Sequence, residues 1–158
     1  MPLSDEQAPT RPSAVLFACN FNRVRSPMAE ALLKRLVGDQ VFVDSCGLKP
    51  SSADQRAVEG EGVDPFAEAV MGELGCDLSR HRPKTFGELN DDSFDLVISL
   101  TPEAQHTAVE LSRGRATEIE YWPTFDPTLV EGAREARIAA YREVRDALAA
   151  RIAKRFGG

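Results

Sequence analysis

Short runs of β-branched and aromatic residues alternate along this chain with longer runs in which apolar residues return every three or four positions. The short runs predict strands near residues 13–18, 40–45, 94–100 and 116–121. The longer runs predict helices over 27–37, roughly 64–74, 102–112 and 133–155. The last is the most regular. Ile138, Tyr141, Val144, Leu148 and Ile152 share one face, which assigns its Arg and Glu residues to the opposite, solvent-facing side. Alternating strands and helices predict an α/β fold: a four-stranded parallel sheet with helices on both faces. Residues 46–63 are rich in Gly, Pro, Ser and charge and read as a long loop. Residues 1–11 read as a flexible polar tail, which leaves 12–158 as one domain.

The first strand and first helix are joined by the run from Cys19 through Asn20, Phe21, Asn22, Arg23, Val24 and Arg25 to Ser26. A thiol therefore opens the loop, and a guanidinium closes it six residues later. A helix N-terminus presents unpartnered N–H groups and a positive dipole end to whatever occupies such a loop. Arg25 adds a planar, two-pronged donor suited to two oxygens of a tetrahedral anion. The same positive field favours the nucleophilic thiolate of Cys19. The loop is thus a phosphate-binding loop after the first strand, made of residues 20–26, with Ser26 expected as helix N-cap and Pro27 at the first helical position.

Spacing alone does not single out this loop, because Cys76 and Arg82 are also six apart. That second copy follows a helix ending in Gly75 rather than a strand, and Pro83 comes next where a helix would have to begin. Context selects Cys19.

Composition narrows the classes of function. The 158 residues suffice for one proper core, and 42% hydrophobic with 28% charged residues is ordinary for a globular protein. A net charge of −6 argues against a nucleic-acid partner. No apolar stretch reaches the roughly 18 residues of a membrane span, and the N-terminus lacks a secretory pattern. Three Cys without paired spacing fit reduced thiols and a cytoplasmic location, and two His give no zinc signature. No metal or organic cofactor is expected.

The stretch from Val15 through Cys19 to Arg25-Ser26-Pro27-Met28-Ala29-Glu30 resembles the signature of the low-molecular-weight protein-tyrosine phosphatase family. That superfamily includes the thioredoxin-coupled arsenate reductases. The likeness continues in order through Asp44-Ser45-Cys46-Gly47, Asp64-Pro65, Ser79-Arg80-His81-Arg82, Phe94 to Ile98, and Phe125-Asp126-Pro127. It implies that Cys19 is the nucleophile, that Arg25 and the loop amides hold the oxyanion, and that Asp126 is the general acid. It also implies that Ser26 donates to the thiolate and that Asn22 holds the loop's strained backbone. From the residues alone, Asp126-Pro127 reads equally as an Asx-Pro turn. His81 reads as structural or second to the site, and His106 as a surface residue.

The chain departs from the family pattern at several places. Phe21 stands where Gly is usual, and should project toward the cleft mouth. Val24 replaces a second Cys that can pair with the nucleophile. Thr128-Leu129 replaces a Tyr pair, and Lys49-Pro50-Ser51 lacks the usual aromatic, leaving Phe21, Trp122 and Phe125 as candidate walls. The implied activity is a cysteine-dependent phosphomonoesterase acting on a phosphorylated protein or small phosphomonoester through a thiophosphate intermediate. Two alternatives stay open: an arsenate reductase using an external thiol, since no cysteine lies near Leu100 to form a relay, and a non-catalytic phospholigand-binding protein.

Overall fold

The computed structural model describes residues 11–54, 62–90 and 93–157; the expected tail lies outside them except for Arg11. Arg11 is tied down, donating to Gln40 Oε1 at 3.0 Å and to the carbonyl of Phe156 at 2.8 Å. Four strands form: β1 (Ala14–Cys19), β2 (Phe42–Gly47), β3 (Leu96–Ser99) and β4 (Glu118–Tyr121). Four helices follow them: α1 (Arg25–Val37), α2 (Pro65–Gly72), α3 (Pro102–Ser112) and α4 (Arg134–Phe156). Each was legible as an element. The clearest difference is β2, which runs two residues further than expected and takes in Cys46 and Gly47.

All pairings are parallel and the sheet order is β2-β1-β3-β4. The chain leaves β1 toward β2 on one side, and β3 lies on the other. The carboxyl end of β1 is therefore the point where strand order reverses, the place at which such sheets open a crevice for ligands. Cys19 ends β1 at that point, paired in register with Gly47.

Alternation along β1 sorts the core into two layers. Val15, Phe17 and Cys19 face α1, α2 and α4 together with Leu96 and Ile98. Leu16 and Ala18 face α3 together with Cys46, Phe94 and Val97. On α4, Tyr141, Val144, Leu148 and Ile152 are buried, each contributing roughly 1.5–3 kcal/mol by leaving water. One residue of that helix departs from the expected solvent-facing set: Arg145 is buried. It donates to the carbonyl of Val70 at 2.8 Å and pairs with Glu73 Oε1 at 2.8 Å, placing a cation at the end of α2, where the carbonyls lack partners. Hydrogen bonds from Arg142 and Arg145 hold the Glu73 carboxyl down to about 2.

Two caps tie helix starts to the loop after β1. Asp64 caps α2 by accepting from Phe66 N at 2.8 Å, takes the Tyr141 hydroxyl at 3.0 Å, and donates its own N–H to the carbonyl of Arg23 at 3.0 Å. Thr101 caps α3 by accepting from Ala104 N at 3.1 Å, while its hydroxyl donates to Asn20 Oδ1 at 2.8 Å. Thr101→Ala removes both bonds. It should lower stability by about 1 kcal/mol in urea unfolding, whereas Thr101→Ser should keep most of it. An unchanged midpoint in Thr101→Ala would show that the cap contributes nothing.

Candidate active site

The loop from Asn20 to Val24 turns on Asn22, whose φ of 58° lies in the left-handed region that Asn tolerates better than most residues. Its side chain is completely buried and fully used. Nδ2 donates to Ser26 Oγ at 2.8 Å and Ser45 Oγ at 2.9 Å, while Oδ1 accepts from Lys84 N at 3.0 Å and lies 3.0 Å from His81 Nε2. Burial, the largest influence, holds the His81 imidazole below its ordinary range, with Lys84 adding in the same direction. The Asn22 oxygen can only accept, so this bond needs a proton on Nε2, while Nδ1 lies 3.8 Å from Glu30 Oε1. Ser45 passes the network on to Glu30 Oε1 at 2.5 Å, and Glu30 pairs with Lys34.

Because Asn22 donates to Ser26 Oγ, the Ser26 hydrogen is left to point elsewhere. Cys19 Sγ is 2.9 Å from that hydroxyl, closer than the Cys46 carbonyl at 3.3 Å. The hydroxyl can donate to either, and toward a Cys19 thiolate, which can only accept, Ser26 is the donor. It does not cap the helix as expected: α1 begins one residue earlier, at Arg25, with no side-chain cap, and Ser26 sits inside the first turn. The helix start is free of a side chain that would cover its N–H groups.

Arg25 joins the loop to the segment after β4. Its Nη1 donates to the carbonyl of Thr124 at 3.0 Å, and its Nη2 lies 3.8 Å from Asp126 Oδ2. Asp126 divides its two oxygens. Oδ1 accepts from Thr128 N at 3.0 Å and Thr128 Oγ1 at 2.6 Å, starting a short 3-10 turn over Pro127–Leu129. Oδ2 faces Arg25. The turn and the site-facing carboxyl, alternatives in the sequence, coexist in one side chain. A cavity of about 40 Å³ lies above the sulfur, lined by Cys19, Phe21, Arg23, Arg25, Asp54 and Asp126 among others. Sequence reasoning missed Asp54, whose pairing with Arg23 across 31 residues left no local signal.

Of the three aromatic candidates for a wall, only Phe21 lines this cavity, as expected of a side chain pointing to the mouth. Trp122 is instead core, buried edge-on against Phe17 at 6.1 Å, because β4 turns it inward beside β1. Phe125 is 57% exposed and borders a separate groove with α4. His106 is exposed on α3. The second Cys-Arg copy follows the end of α2 rather than a strand, and no α-helix begins directly after Arg82: Gly75 takes a φ of 80° and Cys76 lies half-exposed just beyond. Cys46 belongs to the opposite face of the sheet from Cys19, and burial pushes its thiol far up. Among the described residues, no cluster of three His, Cys, Asp or Glu side chains can hold a metal, and no helix is long and apolar enough to cross a membrane.

Gly47 fixes how closely the loop can approach the sheet. A Cβ there would lie 2.8 Å from Asn22 N and from the carbonyl carbon of Phe21, and 2.9 Å from the carbonyl oxygen of Asn20. All three contacts are backbone and cannot rotate away. Gly47→Ala should therefore displace the loop: phosphate should protect Cys19 from alkylation at least tenfold less well than in the wild type, in a protein that still folds. Wild-type protection in that variant would show that the close approach is not needed.

Residues 14–156 match the family model described as low molecular weight phosphotyrosine protein phosphatase. An arsenate reductase of Halalkalibacterium halodurans is 32% identical over 138 residues, covering 87% of this chain and 91% of that protein. A glutaredoxin arsenate reductase of a Synechocystis strain is 38% identical over 86 residues, covering 54% of this chain and 58% of that protein. Among solved structures, the low molecular weight protein tyrosine phosphatase of T. tengcongensis superposes with a TM-score of 0.72 at 24% identity, over 91% of this chain and 97% of that one. With its loop closing β1 and nearly its whole length matched, the chain belongs to the low molecular weight phosphotyrosine protein phosphatase family.

Proposed function

We propose that the chain is a cysteine-dependent enzyme acting on tetrahedral oxyanions, and that its reaction is hydrolysis of phosphate monoesters. The observation that carries this reading is the Ser26 hydroxyl 2.9 Å from Cys19 Sγ, in a cavity also lined by Arg25 and Asp126. The hydroxyl stabilises sulfur as an anion, both as attacking group and later as leaving group. Thiolate attack on phosphorus forms the S–P bond as the P–O bond to the leaving group breaks. Asp126, in its acid form, gives that oxygen a proton. Arg25 and the N–H groups at the start of α1 carry the charge on the three remaining oxygens. Water then attacks phosphorus, Asp126 takes its proton, and the S–P bond breaks to release phosphate and the thiolate. No metal or organic cofactor enters these steps. Free thiol chemistry of this kind suits a reducing compartment such as the cytoplasm. The substrate is a phosphorylated protein or small phosphomonoester.

A second reading, arsenate reduction, is favoured by the names of the curated relatives reported above. It starts with the same attack: Cys19 displaces an arsenate oxygen, which leaves as water. Reduction to arsenite then takes two electrons from two thiols, which end as a disulfide. Cys46 cannot be the second thiol, since it packs on the opposite face of the sheet, buried among Ala18, Val97 and Phe94. Cys76 lies in the turn after α2 and does not line the cavity. The second thiol must therefore be external, of the glutathione or glutaredoxin class: it attacks Cys19 Sγ, the S–As bonding pair leaves with arsenite, and the mixed disulfide on Cys19 is reduced by a further external thiol.

One set of assays decides. The wild type should hydrolyse an aryl phosphate in the presence of a metal chelator, and Cys19→Ser should not. Asp126→Asn should slow poor leaving groups by about 10²–10⁴-fold and good ones much less. Activity surviving in Cys19→Ser would refute the mechanism, and an Asp126→Asn variant at the wild-type rate on every substrate would remove Asp126 as acid. Arsenate-dependent consumption of glutathione without ester hydrolysis would establish the second reading instead. Tight phosphate binding with neither reaction would mark a binding protein.

A further inference from the structure

Two hydrogen bonds from Thr128 end on one oxygen of Asp126, and only one of them is needed to make the turn. The Thr128 N–H donates to Asp126 Oδ1 at 3.0 Å, a bond that any residue except proline could make at this position. The Thr128 hydroxyl donates to the same oxygen at 2.6 Å, and that bond depends on the side chain. Position 128 is also where the chain departs from its family pattern, with Thr in place of the first of two Tyr. A hydroxyl bonded to the carboxyl thus stands where an aromatic wall is usual.

The χ2 torsion of an aspartate is broad and roughly two-fold, so a carboxyl held at a single point can rock or exchange its two oxygens. The far side of Asp126 is held loosely. Its Oδ2 lies 3.8 Å from Arg25 Nη2, beyond hydrogen-bond distance, and its side chain is 28% exposed, within reach of water. Two donors on Oδ1 restrict that motion. Pro127, buried between the two residues and fixed in φ, keeps both donors in place. A backbone N–H can only donate, so Oδ1 accepts whether or not the carboxyl is protonated. The acid form keeps this bond with its proton on Oδ2, the oxygen that faces Arg25.

We propose that Thr128 is the positioning residue of the acid: its hydroxyl keeps Oδ1 on the turn and so keeps the proton-bearing Oδ2 toward the cavity. As Cys19 forms the S–P bond, the P–O bond to the leaving group breaks and the Oδ2 proton passes to the leaving oxygen. The electron pair of the broken O–H bond stays on Asp126, where both Thr128 bonds become charge-assisted and stronger. The proposal rests on the hydrolase reading, and the hydroxyl matters only where the leaving oxygen needs a proton.

The test compares kcat/KM for two esters, a quantity that covers every step up to the thiophosphate. Phenyl phosphate has a poor leaving group and para-nitrophenyl phosphate a good one. Thr128→Val, nearly the same shape without the hydroxyl, should slow phenyl phosphate by about tenfold or more and para-nitrophenyl phosphate less than threefold. Thr128→Ser should bring phenyl phosphate back to within threefold of the wild type. In an Asp126→Asn background, adding Thr128→Val should cost less than threefold, because no acid remains to be positioned. Should Thr128→Val not fold, Thr128→Ala removes the same hydroxyl and is read in the same way. Equal slowing of both esters, a Thr128→Ser as slow as Thr128→Val, or an undiminished loss in the Asp126→Asn background would mark a merely structural role and overturn the proposal. A loss below tenfold in Thr128→Val, beside a loss of about 10²-fold or more in Asp126→Asn, overturns it while Asp126 stands as acid. An Asp126→Asn variant as fast as the wild type removes the acid and this proposal together. A wild type that hydrolyses neither ester overturns the hydrolase reading as well.

Discussion

Everything at the site hangs on the backbone of Asn22. A residue other than glycine at φ 58° would drift toward the right-handed region unless something held it, and four hydrogen-bonding groups do so. They come from α1, β2 and the turn around residues 81–84, so the loop cannot relax without disturbing three separate parts of the fold. The result is a ring of backbone above the end of β1, open at the top and rigid at the base. Gly47 completes the constraint from the neighbouring strand, since any side chain there would collide with the loop's main chain.

The chemistry follows from that rigidity. Ser26 is inside the helix instead of capping it, and the Asn22 amide takes one of its lone pairs. Its hydrogen is thereby left for Cys19 Sγ at 2.9 Å or the Cys46 carbonyl at 3.3 Å. Arg25, the first residue of the helix, reaches the carbonyl of Thr124 and so brings the Asp126 loop to the same cavity. A single guanidinium thus ties together the group proposed to attack and the group proposed to supply the proton. Asp126 keeps its position because its other oxygen is spent on the Thr128 turn. On the proposed reading the same preorganisation serves any tetrahedral oxyanion, and the choice between ester hydrolysis and arsenate reduction rests on which second reactant can reach Cys19. Within the chain no other thiol does: Cys46 is held behind the sheet and Cys76 lies outside the cavity.

The fold class, the parallel pairing, the thiol-to-guanidinium loop and the helix spans were all readable in the sequence, because each depends on residues near one another in the chain. Strand and helix periods report which local face is buried, and a strand running through Cys19 into Arg25-Ser26-Pro27 is a local pattern too. Side-chain roles that depend on remote partners were not readable. Arg145 looked like one more solvent-facing arginine of α4, but α2 ends beneath it and its carbonyls need a donor. Trp122 looked like a cleft wall, but the order of the strands puts it against Phe17. Ser26 looked like a cap, because Ser before Pro is a common helix start, and only the buried amide of Asn22 gives it a different partner.

By itself, then, the sequence determined the elements, their parallel arrangement, and the loop with Cys19 and Arg25 at its ends, since these follow from periodicity and from the few residue types that fit such positions. The tertiary structure alone decided the strand order β2-β1-β3-β4, and with it which residues separated by 30 to 100 positions meet around the cavity. Asp126 facing Arg25, Thr101 bonding Asn20, His81 bonding Asn22 and Asp54 pairing with Arg23 are all of this kind. The physical reason is that a charged or hydrogen-bonding side chain carries no mark of its partner. Only the packing of the hydrophobic layers, which fixes where each strand ends, brings the two into the same few ångströms.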